Sequence, residues 1–240
     1  VSVYEFINLK GFKMPNETII TINRKFSRPS AELLKPFSEV PTGYVVDVQN
    51  RRGALDCSIK PMFDFPPIAG PAVTVQTVPD DNLAPYLAMD VLKAGDVLVI
   101  ANGGWTGSSV IGDLIAGMFK NIGVAAIVTD GAVRDVAGLE QVGLPVFARG
   151  LTANSPQKNG PGAVGLEVSI GGAVIRSGDL IVGDRDGVVV LPQERISSAI
   201  DGLQAIREKE RKIEALIAEG LTKPDWVKDF LAGHGVKYID

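Results

Sequence analysis

The chain has 240 residues, 45% hydrophobic and 22% charged, a composition that excludes a fibrous repeat or a disordered polymer and suits a folded domain. A formal net charge of -4 argues against a dedicated nucleic-acid binder, and the single cysteine, Cys57, excludes an intramolecular disulfide or a multi-cysteine zinc site. The segment VSVYEFINLKGFK lacks the basic-then-apolar order of a secretory signal, and no apolar run approaches a membrane span. With one cysteine, this places the expected location in a reducing cytoplasm, away from membranes.

Residues 1 to about 28 show no strong period and read as an N-terminal arm. Ser30 and Glu32 fit the start of a short helix to Phe37, which Pro41-Thr42-Gly43 ends, and a further helix is expected near Tyr44 to Asn50. A strand follows at Ala69 to Thr77, then an amphipathic helix from Asp81-Asn82 to Lys93 and the buried strand Val97 to Ala101. Asn102 to Ser109 is a glycine-rich loop that matches neither a dinucleotide nor a P-loop fingerprint. Ile111, Leu114, Ile115, Met118, Phe119 and Ile122 recur at helical spacing, and Val124 to Thr129 returns as a strand. Val136 to Val142 predicts a short helix before the strand Pro145 to Arg149, so three parallel βα repeats occur in succession.

From Ala163 the texture changes to closely spaced strands, with turns at Gly171-Gly172 and Asp186-Gly187. A long helix is expected from Gln193 to about Glu219, with Ile196, Ala199, Leu203, Ile206, Ile213 and Ile217 on one stripe. Glu210 shares that stripe. The fold class is therefore α/β with a long C-terminal helix, organised as one domain over 29–220 with a helical tail at 221–240.

The chemistry concentrates in a D-x20-R-D spacing: Asp113, then Arg134 and Asp135. A helix of about 12 residues advances roughly 18 Å and a strand of about 6 residues returns roughly 20 Å, so the chain comes back to its starting edge. Ligands of open α/β sheets gather at that edge. A helix-start acid plus a loop ion pair would account for the same charges without chemistry. Three observations favour a site: Asp113 lies off the expected apolar stripe, Gly112 removes a Cβ beside the helix amides, and Arg134 offers a planar fork for a carboxylate or enolate. Two acids and a cation binder also form a skeleton for Mg²⁺ or Mn²⁺. A histidine base or triad is poorly supported, because His234 is the one histidine and falls in the tail. Lys93 and Lys120, the nearest lysines for a Schiff base, both fall at expected helix C-termini, where a solvated lysine is usual.

Gly112-Asp113-Leu114-Ile115-Ala116, the run Thr129 to Asp135, Pro145 to Ala148 and the stretch Gly178 to Pro192 resemble the family of 4-hydroxy-4-methyl-2-oxoglutarate aldolases and regulators of ribonuclease activity A. The resemblance spans roughly residues 30 to 220. It implies a swivelling β/β/α-type domain, a trimer or dimer of trimers, and a carbon–carbon lyase acting on 4-hydroxy-2-oxo acids, with oxaloacetate decarboxylation as a side activity. It also implies roles: Asp135 for a divalent metal, Arg134 for the keto-acid end, Asp113 for a water that moves a proton, and the backbone amides of Gly112, Asp113, Leu114 and Ile115 for the pyruvyl carboxylate. Glu210, or its neighbour Glu208, would reach in from another subunit. The alternative is a regulator that binds and inhibits a ribonuclease and needs no metal.

Overall fold

A computed structural model describes residues 20–233, 235–237 and 239; most of the expected N-terminal arm and His234 lie outside these. In chain order the elements are β1 (Ile20–Ile22), α1 (Ala31–Leu34), α2 (Thr42–Val48), β2 (Lys60–Pro61), β3 (Ile68–Thr77), α3 (Leu83–Leu87), β4 (Val97–Ala101), β5 (Ser109–Ile111), α4 (Asp113–Ile122), β6 (Ala126–Thr129) and β7 (Ala132–Val133). There follow α5 (Val136–Val142), β8 (Val146–Ala148), β9 (Gly150–Leu151), β10 (Gly162–Val164), β11 (Val168–Ile170), β12 (Ala173–Ile175), β13 (Leu180–Gly183), β14 (Val188–Leu191), α6 (Ile196–Ala218) and α7 (Asp225–Gly233).

The main sheet runs β1-β10-β3-β4-β6-β8-β2, and β3, β4, β6 and β8 are mutually parallel. Its composition explains its place. All five residues of β4 are buried, yet they divide by parity: Leu98 and Ile100 enter one apolar cluster, while Val97, Val99 and Ala101 enter another on the opposite face. A strand buried on both faces reads as an unbroken apolar run, as parallel sheets under helices require. Truncating Ile100 to alanine would cost about 2–5 kcal/mol, since a fully buried branched side chain leaves a cavity.

β3, with ten residues, is the hub. Its first half pairs antiparallel with β13, its second half with β10, and its other edge with β4. Close approach to the neighbouring loop requires Gly70, where a Cβ would stand 2.4 Å from the Gly95 carbonyl oxygen. β13 and β14 then form a third apolar cluster with α2 and the start of α6, through Val45, Leu180, Leu191, Ile196, Ala199 and Leu203. The result is an α/β fold with a mixed sheet and a long helix of 23 residues near its C-terminal end.

Several expected elements change. The helix from Asp81 to Lys93 is a five-residue α3 followed by a 3-10 turn over Ala88–Asp90, and Pro85 falls in the first turn of α3, where a missing amide breaks no helical bond. On α4, Leu114 and Met118 are exposed rather than inward, and Ile115, Ala116 and Phe119 alone are buried there. On α6 the expected stripe is buried at Ile196, Ala199 and Leu203, where the helix joins the cluster with α2, β13 and β14, while Ile213 and Ile217 further along face solvent. No helix among the described residues is long and apolar enough to cross a membrane.

One feature of the architecture positions the site. Each of β4, β6 and β8 is followed shortly by a two- or three-residue strand, and these three, β5, β7 and β9, pair in parallel as a separate small sheet ordered β5-β7-β9. The chain leaves β5 at Gly112, β7 at Arg134 and β9 at Thr152. Three connections thus start side by side from one edge.

Candidate active site

Asp113 opens α4, with Gly112 at its N-cap in an extended conformation. Arg134 is set by the main chain: its amide donates to the Ile111 carbonyl at 3.0 Å, continuing the β5–β7 pairing. Asp135 follows in the left-handed region, φ 58°, where it caps α5 and accepts from the Leu139 amide at 2.9 Å through its main-chain carbonyl. A non-glycine residue held there is strained by about 1–3 kcal/mol, and such strain clusters at functional positions.

These segments approach closely. A Cβ on Gly112 would lie 2.7 Å from Asp135 Oδ2 and 3.3 Å from Arg134 Nε; one on Gly138 of α5 would lie 2.4 Å from Asp113 Oδ2. Two glycines therefore make room for the two carboxylates. Arg134 Nε lies 3.2 Å from Asp135 Oδ2, and Arg134 Nη1 donates to the Ser155 hydroxyl. Both partners of the ion pair remain about two-fifths exposed, at 36% and 42% of their side-chain area, so the pair itself contributes little stability.

Asp113, Arg134 and Asp135 line one cavity of about 270 Å³ with Gly112, Leu114 and Ile115. The spacing therefore brings the three charges to one edge, as the residue count predicts. The same cavity is lined by residues that sequence reading misses: Asn82 and Tyr86 from the α3 region, and Ser155, Pro156 and Lys158 from the connection between β9 and β10. Asn82 is 5% exposed, its Nδ2 donates to the Val110 carbonyl, and its Oδ1 has no hydrogen-bond partner among the described residues. A buried acceptor without a donor costs about 1–3 kcal/mol, which a ligand donor would recover. Lys158 Nζ sits 6.0 Å from the Tyr86 ring centroid. Only Asn82, beside the expected start of α3, carried any signal in the sequence.

The loop behind the site is fixed by a buried acid. Asp130 accepts from the Asn102 amide at 2.8 Å and the Gly104 amide at 2.9 Å, tying the glycine-rich loop to the end of β6. Lys120, exposed on the last turn of α4, donates to the carbonyl of Gly143 at the end of α5 at 3.1 Å.

Glu210 does not enter this cavity from its own chain. It lines a separate one of about 470 Å³ with Tyr44, Asp47, Asp56 and Asp186. Its Oε2 accepts a short hydrogen bond from the Tyr44 hydroxyl, which raises the phenol's pKa above its ordinary value, first through that bond and then through burial and the carboxylate charge. Glu208 is engaged on its own helix by Arg211 and Lys212, whose hydrogen bonds hold its carboxyl below the usual range.

Matching against known families places residues 42–190 in the RraA-like family described as Aldolase/RraA. The chain belongs to that family. A Halalkalibacterium halodurans protein with the provisional name of a 4-hydroxy-4-methyl-2-oxoglutarate aldolase is 37% identical over 189 residues, which cover 79% of this chain and 89% of that protein. An uncharacterized protein from Pseudomonas syringae pv. tomato is similar in structure, with a TM-score of 0.75 and 28% identity over 82% of this chain and 93% of that one. Streptomyces coelicolor RraAS2, described as an unusual member of the RNase ES inhibitor RraA family, has a TM-score of 0.72 and 27% identity, covering 79% and 99% of the two chains. The family thus spans proteins named for aldol chemistry and for ribonuclease inhibition.

Proposed function

We propose that this member of the Aldolase/RraA family is a pyruvate-releasing carbon–carbon lyase, cleaving a 4-hydroxy-2-oxo acid such as 4-hydroxy-4-methyl-2-oxoglutarate, with oxaloacetate decarboxylation as a side activity. The observation that carries the reading is the convergence of Asp113, Arg134 and Asp135 on one cavity at a helix start, with glycines where side chains would block it. A pure inhibitory surface has no evident use for that arrangement.

The donor set fits a hard divalent cation. Asp135 is half exposed, and Mg²⁺ or Mn²⁺ commonly takes one or two carboxylates with waters and substrate oxygens as the remainder. The family resemblance assigns the metal to Asp135; among the described residues no group of three or more His, Cys, Asp or Glu could hold one. Such an ion, when bound, supplies positive charge against a forming enolate.

The residues then divide the work. The first-turn amides of α4, around Leu114 and Ile115, which no carbonyl of the helix itself can reach, receive the substrate carboxylate. Asp113 holds the water that removes the 4-hydroxyl proton. As that proton leaves, the hydroxyl oxygen becomes a carbonyl, the C3–C4 bond breaks, and its electron pair passes into the enolate of pyruvate. Arg134 faces the enolate oxygen, a contact worth about 10²- to 10³-fold in rate. Protonation at C3 by the Asp113 water completes pyruvate. Oxaloacetate gives the same enolate on loss of CO₂. Glu210, lining a different cavity of its own chain, would serve a neighbouring copy's site in a trimer or dimer of trimers.

A coupled assay of pyruvate release from 4-hydroxy-4-methyl-2-oxoglutarate and from oxaloacetate tests this. Turnover that needs Mg²⁺ or Mn²⁺ and stops with chelator is expected; metal-independent turnover overturns the metal role. No turnover of either acid together with tight binding to a ribonuclease would favour the regulator.

A further inference from the structure

We propose that Asp81, outside the Asp113–Arg134–Asp135 set, is a positioning residue that fixes the far wall of the cavity and with it the length of acid the site accepts. The proposal rests on the reading of the cavity as a 2-oxo-acid site. Asp81 is 4% exposed and makes no ion pair among the described residues. Its carboxylate is used on main-chain amides instead: Oδ1 accepts from Leu83 at 2.8 Å, and Oδ2 accepts from Asn159 at 2.7 Å and Gly160 at 2.8 Å.

The consequence is a clamp between two segments far apart in sequence. On one side lies the start of α3, carrying Asn82 and Tyr86; on the other lies the connection carrying Ser155, Pro156 and Lys158. Main-chain bonds flank the clamp, from the Gln157 amide to the Asp80 carbonyl and from the Asn82 amide to the Gln157 carbonyl. Asp80 takes the left-handed conformation, φ 64°, to bring its carbonyl there. The Thr77 hydroxyl holds the Asp81 carbonyl at 3.0 Å. Gly160 lets the loop come this close: a Cβ there would stand 2.7 Å from Val78 Cγ2 and 2.8 Å from Asp81 Cγ.

Lys158 lies between the two bonded positions, Gln157 and Asn159. The clamp therefore sets where the one cationic side chain of this wall stands relative to Asn82, whose Oδ1 lacks a partner among the described residues. Pyruvate's own three carbons are held by Arg134 and the α4 amides in the proposed reaction. What extends beyond them, in an acid longer than oxaloacetate, reaches the wall that Asp81 holds.

The test uses Asp81→Asn, which replaces one accepting oxygen with an amide donor, and Gly160→Ala, which pushes the same loop from the other side and leaves the carboxylate intact. Kinetics with oxaloacetate and with 4-hydroxy-4-methyl-2-oxoglutarate in Mg²⁺ are measured beside hydrogen exchange of the ligand-free chain. Both variants are expected to raise KM for the longer acid about tenfold while oxaloacetate kinetics move less than about threefold, and exchange at 159–160 should quicken while α4 amides stay protected. Equal loss on both acids, or unchanged exchange at 159–160 in Asp81→Asn, overturns the proposal. If the wild-type chain turns over neither acid, the proposed reaction falls; exchange then decides the clamp on its own.

Discussion

The cavity at Asp113, Arg134 and Asp135 and the cavity at Tyr44 and Glu210 both carry acids, but they differ in what stands behind them. The first is backed by the small β5-β7-β9 sheet, and Gly112 and Gly138 leave the space that its two carboxylates occupy, so the room for them is set by the backbone. The second is formed partly by α6 beyond its last buried residue, Leu203, and Glu210 is fixed there by one phenol. The first pair of acids occupies space that the backbone leaves open, whereas Glu210 on the overhanging helix is placed by the hydrogen bond it accepts from Tyr44. In the proposed reading the first cavity is the reaction centre and the second offers Glu210 to a neighbouring copy.

Substitutions can break that comparison. Asp135→Ala should reduce pyruvate release at least about 10²-fold while melting temperature stays near wild type, because the side chain is half exposed and its ion pair is weak. A large stability loss in place of an activity loss would make the first cavity a structural one. Gly138→Ala should follow, with activity down about tenfold or more, since the added Cβ must displace Asp113 and small misplacements of a reacting group are costly. Assays of this variant alongside Gly112→Ala show whether both glycines act through the carboxylates.

The second cavity gives smaller effects. Arg134→Ala and Glu210→Ala chains, each weak alone, should regain part of their activity when mixed, if Glu210 serves a neighbour; no recovery in mixed oligomers weakens the sharing of sites. Tyr44 gives a pH signature. A phenol whose folded pKa lies above the ordinary 10.0 contributes stability that is present below pH 10 and lost as pH rises through the folded value. Denaturant midpoints between neutral pH and strong alkali should therefore fall more steeply for wild type than for Tyr44→Phe.

Much of the frame was legible because long periodic segments report burial directly. Val97–Ala101 and Val136–Val142 come out with the expected ends, since an unbroken apolar run and a seven-residue helical period leave little choice. Leu114 and Met118 misled because period alone cannot say which of two adjacent apolar stripes faces the sheet. β5, β7 and β9 were invisible: two or three residues carry no period. The D-x20-R-D spacing located one part of the cavity because strand and helix lengths bring it back to one edge. The other part, Asn82 with Lys158, depends on a bond from Asp81 to Asn159 across 78 residues, and no local pattern announces such a pairing.

The central claim is that the edge built by Asp113, Arg134 and Asp135 generates a pyruvate enolate, and it can be tested without the natural substrate. Pyruvate is incubated with the chain and Mg²⁺ in D₂O, and its methyl protons are followed by NMR. The account predicts exchange into the methyl group that requires the metal and is lost in Asp135→Ala. No exchange by the wild-type chain with metal present, or undiminished exchange in Asp135→Ala, would contradict it.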